Sequence, residues 1–173
     1  MSKDISKASF GTTVAYGLPG IGAGYMYLLM SLYVMKFSTD VLLIAPAVMG
    51  VIFSISRIWD AISDPIAGYL SDRTTFKFGR RRSWILLSFI PISFGFLAVF
   101  SPPESLQGES LDLWMMIAIL SFYSAITLFN VPHMALGAEL SEDYHERTRL
   151  FGVRHIGFTF GSILSLVTMS LLI

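Results

Sequence analysis

RIWDAISDPIAGYLSDRTTFKFGRRRSW, residues 57–84, decides how the rest of the chain reads. Its first part is apolar helix-forming sequence interrupted by Arg57, Asp60 and Asp64. On a helix of 3.6 residues per turn, positions three and four apart share a face, so these residues form one charged stripe on an apolar rod. A charge at bilayer depth costs at least about 2.5–3.5 kcal/mol, and residues that carry one usually line a water-filled cavity or an ion path. The second part is a short loop bearing Arg73, Lys77, Arg80, Arg81 and Arg82. Such a basic loop is expected on the cytoplasmic side of a membrane.

Composition supports a membrane setting. The chain has 173 residues, 54% hydrophobic and only 14% charged, against roughly 25% charged in soluble domains. The formal net charge is zero, so no nucleic-acid partner is suggested. There is no cysteine, which excludes disulfides and thiolate metal sites. No cleavable signal peptide is evident, and the first apolar run is expected to be a retained span.

A span needs about 20 mostly apolar residues. Working outward, spans are expected at about 9–37, 41–70, 84–100, 113–138 and 150–173. The first is dense in glycine, which permits close helix approach or a local break. Residues 36–40 are expected to form a short turn. Pro46 falls in the first turn of the second span. Pro65, just after Asp64, frees a carbonyl one turn back. Pro91 is an expected kink in the third span, and Asn130 and Pro132 lie deep in the fourth. Residues 101–112 form a polar loop without Lys or Arg, and residues 139–149 a charged loop of mixed sign. Lys and Arg alternate by side: Lys3 and Lys7, then the loop after span 2, then Arg147 and Arg149. That places the N-terminus in the cytoplasm. The apolar end at residues 171–173 without a polar tail suggests a truncated chain.

Embedded acids followed by a basic cytoplasmic loop are the pattern of a transporter half. Asp60 and Asp64, one turn apart, supply hard oxygen ligands for Na⁺ or share a proton. The alternative is a structural ion pair of Arg57 with one acid. An intramembrane aspartyl protease would need facing carboxylates from different helices, and both acids here lie on one. No enzyme chemistry is therefore expected. Thr127 and Asn130, three apart, offer neutral oxygens on one face or serve as interhelical hydrogen-bond groups. Arg154 either snorkels or reaches inward to a solute oxygen. Trp59, Trp84 and Trp114 read as interface or packing residues. His133, His145 and His155 show no metal-ligand spacing.

Gly68, Leu70, Asp72, Arg73, Gly79 and Arg80 follow G-x-L-x-D-R-…-G-R-[RK], the pattern of the cytoplasmic loop between spans 2 and 3 of the major facilitator superfamily. Asp72 at a helix end beside arginines is a charge latch that can hold one facing state and release in another. Within that superfamily the chain resembles the glycoside–pentoside–hexuronide cation symporters, of which melibiose permease is the best-known kind. The resemblance rests on residues 57–84, FSTDV at 37–41, NVPHMALGAEL at 130–140 and DYHERTRLFGVR at 143–154.

The resemblance implies an all-α membrane fold: five transmembrane helices of the N-terminal six-helix bundle of a twelve-span transporter, with the second bundle absent from this chain. It implies Na⁺- or H⁺-coupled symport of a sugar or sugar-like solute in the inner or plasma membrane, with no cofactor beyond the coupling cation. Asp60 and Asp64 match the coupling carboxylates, Thr127 a further cation-site position, and Arg154 the arginine near the sugar. The family's sugar-binding acids fall at Gly24 and Asn130, and a nearby aromatic at Met134. The galactoside-binding half of the signature is thus altered. A different sugar, a uronide or a lysolipid-like amphiphile then becomes the expected solute, and a fragment inert in transport is the remaining alternative. Expected partners are the solute, a monovalent cation, membrane lipid and the missing C-terminal bundle.

Overall fold

The computed structural model describes residues 9–76 and 79–172. Lys3, Lys7 and Lys77, which entered the charge count, lie outside the described residues. Five long helices account for the described chain: α1 (Phe10–Val41), α2 (Pro46–Arg73), α3 (Arg80–Phe100), α4 (Glu109–Glu139) and α5 (Tyr144–Leu172). α1, α3, α4 and α5 are each long and apolar enough to cross a membrane. α2 is 28 residues long and carries Arg57, Asp60 and Asp64 in its middle.

The helices begin and end where local chemistry dictates. Ser9 caps α1, its Oγ accepting from the Thr12 N–H at 3.2 Å. Pro19 cannot donate to the carbonyl one turn back, and α1 tightens into a turn at Leu18 before resuming. Two stretches of α1, Leu29–Tyr33 and Phe37–Val41, are π-helical. The expected turn at residues 36–40 is therefore helix. Lys36 Nζ meets Asp40 Oδ2 at 2.6 Å, an i,i+4 pair that favours continuing the coil. The chain turns only after Val41, with Leu43 at φ 58° and Pro46 opening α2. α5 likewise starts earlier than apolarity alone suggests. Asp143 Oδ1 accepts from the Glu146 N–H at 2.9 Å, so residues 144–149, expected as loop, form its first turns.

The described chain divides into two compact units, Met1–Leu32 with Met134–Ile173, and Tyr33–His133. In the first, α1 crosses α5 with backbone against backbone. A Cβ on Gly20 would lie 2.7 Å from the Arg154 carbonyl oxygen, and one on Gly157 2.7 Å from that of Gly17. At Gly24 and Gly161 a Cβ would fall onto the carbonyl oxygens of Phe158 and Ile21. Only glycine fits this seam, the small-residue packing that brings membrane helices together. Polar groups stitch its far end: Ser162 Oγ donates to the Gly24 carbonyl at 3.2 Å, and the Tyr25 hydroxyl bonds Thr168 Oγ1 at 3.1 Å.

In the second unit, α4 is the buried helix. Met115, Ile119 and Phe122 are essentially inaccessible, and Gly95 of α3 lets Phe122 approach to where a Cβ would be 2.9 Å from its Cα. Apolar side chains of α3 such as Leu86, Leu87, Ile90, Phe94 and Leu97 face outward, as expected of a helix whose solvent is lipid. All three tryptophans donate: Trp59 Nε1 to Ser124 Oγ at 2.7 Å, Trp84 Nε1 to Thr74 Oγ1 at 3.0 Å, and Trp114 Nε1 to the Ala98 carbonyl at 3.0 Å.

Candidate functional site

The charged stripe of α2 lies along α4. Arg57 donates through Nη1 to Asp60 Oδ2 at 3.1 Å and through Nη2 to the Tyr123 hydroxyl at 2.6 Å. Its guanidinium carbon is 4.5 Å from the centre of the Tyr123 ring. One turn further on, Thr127 Oγ1 donates to Asp64 Oδ1 at 3.0 Å. Between these, Trp59 bonds Ser124. Residues 123, 124 and 127 thus present one polar edge of α4 to residues 57, 59 and 64 of α2.

Both acids keep capacity for a further ligand. Asp60 Oδ1 is buried and has no hydrogen-bond partner, an arrangement that leaves a carboxylate oxygen ready for a cation or a proton. Asp64 is exposed on α2, while Thr127 beside it is 5% exposed. With Arg57 counted against Asp60 and Asp64, the stripe carries one net negative charge, which suits a monovalent cation. No group of three or more His, Asp or Glu side chains is disposed to hold a metal among the described residues. Loss of the Thr127 hydroxyl in Thr127→Val is expected to raise the half-saturating cation concentration about tenfold, one hydrogen bond to a charged group. Cation titration of the variant checks this.

The positions matched to solute contacts are spread over both units. Asn130 is half-buried on α4 within the Tyr33–His133 unit. Gly24, Met134 and Arg154 belong to the other unit. There Gly24 is consumed by the α1–α5 seam, Met134 is exposed and Arg154 is half-buried, its carbonyl facing Gly20.

In the loop between α2 and α3, Asp72 meets an arginine that the expected set did not name. Asp72 Oδ1 bonds Arg81 Nη2 at 2.7 Å, and Arg81 is only 12% exposed. Arg80 donates to the Asp72 carbonyl at 3.3 Å, and the Arg73 guanidinium stacks 4.3 Å above the Tyr69 ring. Gly79, at φ 98°, adopts a backbone conformation that residues with a Cβ rarely take, and this turn starts α3. Gly68 is not required by space: a Cβ there would be in ordinary contact, 3.6 Å from Val131 Cγ1.

Sequence reasoning therefore missed Arg81, Tyr123 and the Trp59–Ser124 pair. The three adjacent arginines gave no basis for choosing among them. For α4 a signal existed: Ser121, Ser124, Thr127 and Asn130 recur every third residue, marking a polar edge on an apolar helix.

Four helices long and apolar enough to cross a membrane, with a fifth that carries carboxylates in its middle, are the makings of an integral multi-pass membrane protein. The match to the family described as MFS/sugar transport protein covers residues 15–173, and the chain belongs to that family. It is 37% identical over 174 residues to an uncharacterized symporter, sll1374, of Synechocystis, covering 96% of this chain and 32% of the relative. A putative glycoside/cation symporter of Escherichia coli, YagG, is 31% identical over 153 residues, 87% of this chain and 32% of its own length. The sodium-dependent lysophosphatidylcholine symporter 1-A of Danio rerio is 30% identical over 149 residues, 86% of this chain and 26% of its own. The chain thus spans about a third of the length of the curated relatives it matches.

Proposed function

We propose that this chain forms most of the N-terminal helical bundle of a cation-coupled symporter and carries its coupling site. The observation that supports this is the Asp64–Thr127 bond between α2 and α4, one turn from Asp60 with its unpartnered buried oxygen. Asp60 and Asp64 bind Na⁺ or H⁺ and Thr127 contributes a neutral oxygen. The bound cation neutralises the acids and lowers the cost of enclosing them away from water. A cation held more tightly in one facing state shifts the equilibrium toward that state, and that difference in affinity is the coupling.

The solute is a sugar or sugar-like molecule contacted through Met134 and Arg154. Relatives are named both for glycoside/cation symport and for lysophosphatidylcholine symport. Gly24 cannot be exchanged for an acid within its seam, and Asn130 is uncharged, so solute recognition here lacks both carboxylates of the galactoside-binding pattern. That favours a solute whose own charge is negative, a uronide or a phosphate-bearing amphiphile, with Arg154 as its partner. The N-terminus lies in the cytoplasm, and the loop between α2 and α3 is a cytoplasmic latch closed by Asp72 and Arg81.

Gradient-driven uptake in vesicles carrying the complete reading frame tests the reading. Neutral sugars, uronides and lysophospholipids are offered under an inward Na⁺ or H⁺ gradient. Accumulation that collapses with the gradient supports it. Uptake indifferent to both gradients refutes it. For the latch, Arg81→Gln is expected to slow uptake about fivefold at unchanged cation half-saturation, the loss of about 1 kcal/mol from one facing state. An unaltered rate would leave the loop with a topogenic role only.

A further inference from the structure

Tyr123 holds Arg57 in a way that the acids alone do not. The Arg57 side chain is 51% exposed, and an ion pair that open contributes little by itself. Tyr123 is 2% exposed and fixed in the packed edge of α4. It accepts a charge-assisted hydrogen bond from Arg57 at 2.6 Å and sets the face of its ring 4.5 Å from the guanidinium carbon. The guanidinium is a rigid plane that cannot be deprotonated. Its two terminal nitrogens serve Asp60 and Tyr123 at once. A movement of the guanidinium away from Asp60 therefore strains the bond to Tyr123 as well.

We propose that Tyr123 is a positioning residue that keeps Arg57 on Asp60 as an internal counter-cation, and so sets the cation concentration at which Asp60 becomes available. This rests on the cation-site reading of Asp60 and Asp64. Arg57 occupies Oδ2 of Asp60 while Oδ1 has no hydrogen-bond partner. An arriving Na⁺ or proton and the guanidinium compete for the same carboxylate. Tyr123 strengthens the internal competitor without adding charge, so its hydroxyl tunes affinity and leaves the net charge of the stripe unchanged.

The test uses the complete reading frame in detergent or vesicles. Intrinsic fluorescence, to which Trp59 contributes next to Asp60, follows an Na⁺ titration at fixed pH and a proton titration without Na⁺. Tyr123→Phe keeps the ring and removes the hydroxyl. Its half-saturating cation concentration is expected to fall about three- to tenfold, part of one charge-assisted hydrogen bond. Arg57→Lys keeps the charge but cannot bridge both partners, and it is expected to shift the same way. If Tyr123→Phe does not fold, Arg57→Lys decides alone. A merely structural tyrosine would lower the unfolding temperature and weaken cation binding, so an unchanged or raised half-saturation overturns the proposal. Asp64→Asn supplies the reference for no cation response. If the unmodified protein matches that reference, the cation-site reading fails and takes this proposal with it. If the unmodified protein responds and the two variants do not tighten, only this proposal fails.

Discussion

Asp64→Asn is expected to abolish cation-driven solute accumulation while the chain still inserts and folds. Asparagine fills the same volume, and its carbonyl oxygen can accept the Thr127 hydrogen bond that Asp64 accepts at 3.0 Å. The structural loss is therefore about 1 kcal/mol or less. Removing a charge from the middle of an apolar helix eases insertion, by less than the about 2.5–3.5 kcal/mol that the charge costs because the amide stays polar. What vanishes is the attraction between a carboxylate and a cation, about 4 kcal/mol at 4 Å for an effective dielectric constant near 20, or roughly a thousandfold in affinity. Uptake under an imposed gradient, compared with the amount of protein in the membrane, separates the effects. Retained accumulation at normal protein levels would remove Asp64 from the coupling site. Asp60→Asn should also lose coupling, but with more damage to stability. Arg57 would then keep Tyr123 and lose the Asp60 carboxylate.

The second large effect is expected at the α1–α5 seam. Gly24→Ala and Gly161→Ala each place a methyl where the Phe158 or Ile21 carbonyl oxygen already sits. A side chain in that position could rotate away; a backbone carbonyl cannot, so the helices must part. Overpacking of this kind costs about 3 kcal/mol. The measurement is the unfolding temperature in detergent. Gly22 is the control: a Cβ there meets nothing within 4 Å, and Gly22→Ala is expected to be neutral or to stabilise by about 1 kcal/mol. Equal effects at Gly22 and Gly24 would refute the seam. Gly24→Asp, which restores an acid at the position matched to a galactoside contact, should fail for the same steric reason.

Much of the helix layout was legible because the solvent imposes it. A chain crossing lipid must satisfy its own backbone, so long apolar runs become helices, and the centres of the expected spans lie within α1 to α5. Their ends were harder to read. Residues 36–40 and 144–149 look like loop by polarity, yet an i,i+4 ion pair and an aspartate cap keep them helical. The charged stripe was legible because charge in an apolar helix is rare. Its setting was not. That Asp60 shares Arg57 with Tyr123, or that Asp72 meets Arg81, depends on rotation about a helix axis and on loop path, which residue order leaves free. Glycine density in α1 was visible, but not which glycines meet α5.

The two π-helical stretches of α1 have a consequence of another kind. A turn closed by an i→i+5 bond holds one residue more than an α-turn. Each is in effect an accepted insertion. Removing a single residue from Leu29–Tyr33 would let that turn relax to the ordinary repeat with its flanks nearly in register. Removing one from the α-helical turn Val34–Lys36 would instead rotate one flank against the other by about 100°, and the rings of Tyr33 and Phe37, now 6.2 and 5.5 Å from that of Phe100, could not both keep it. The π-helical turns of α1 are thus where a change in count is absorbed, and the α-helical turn between them is where it is not.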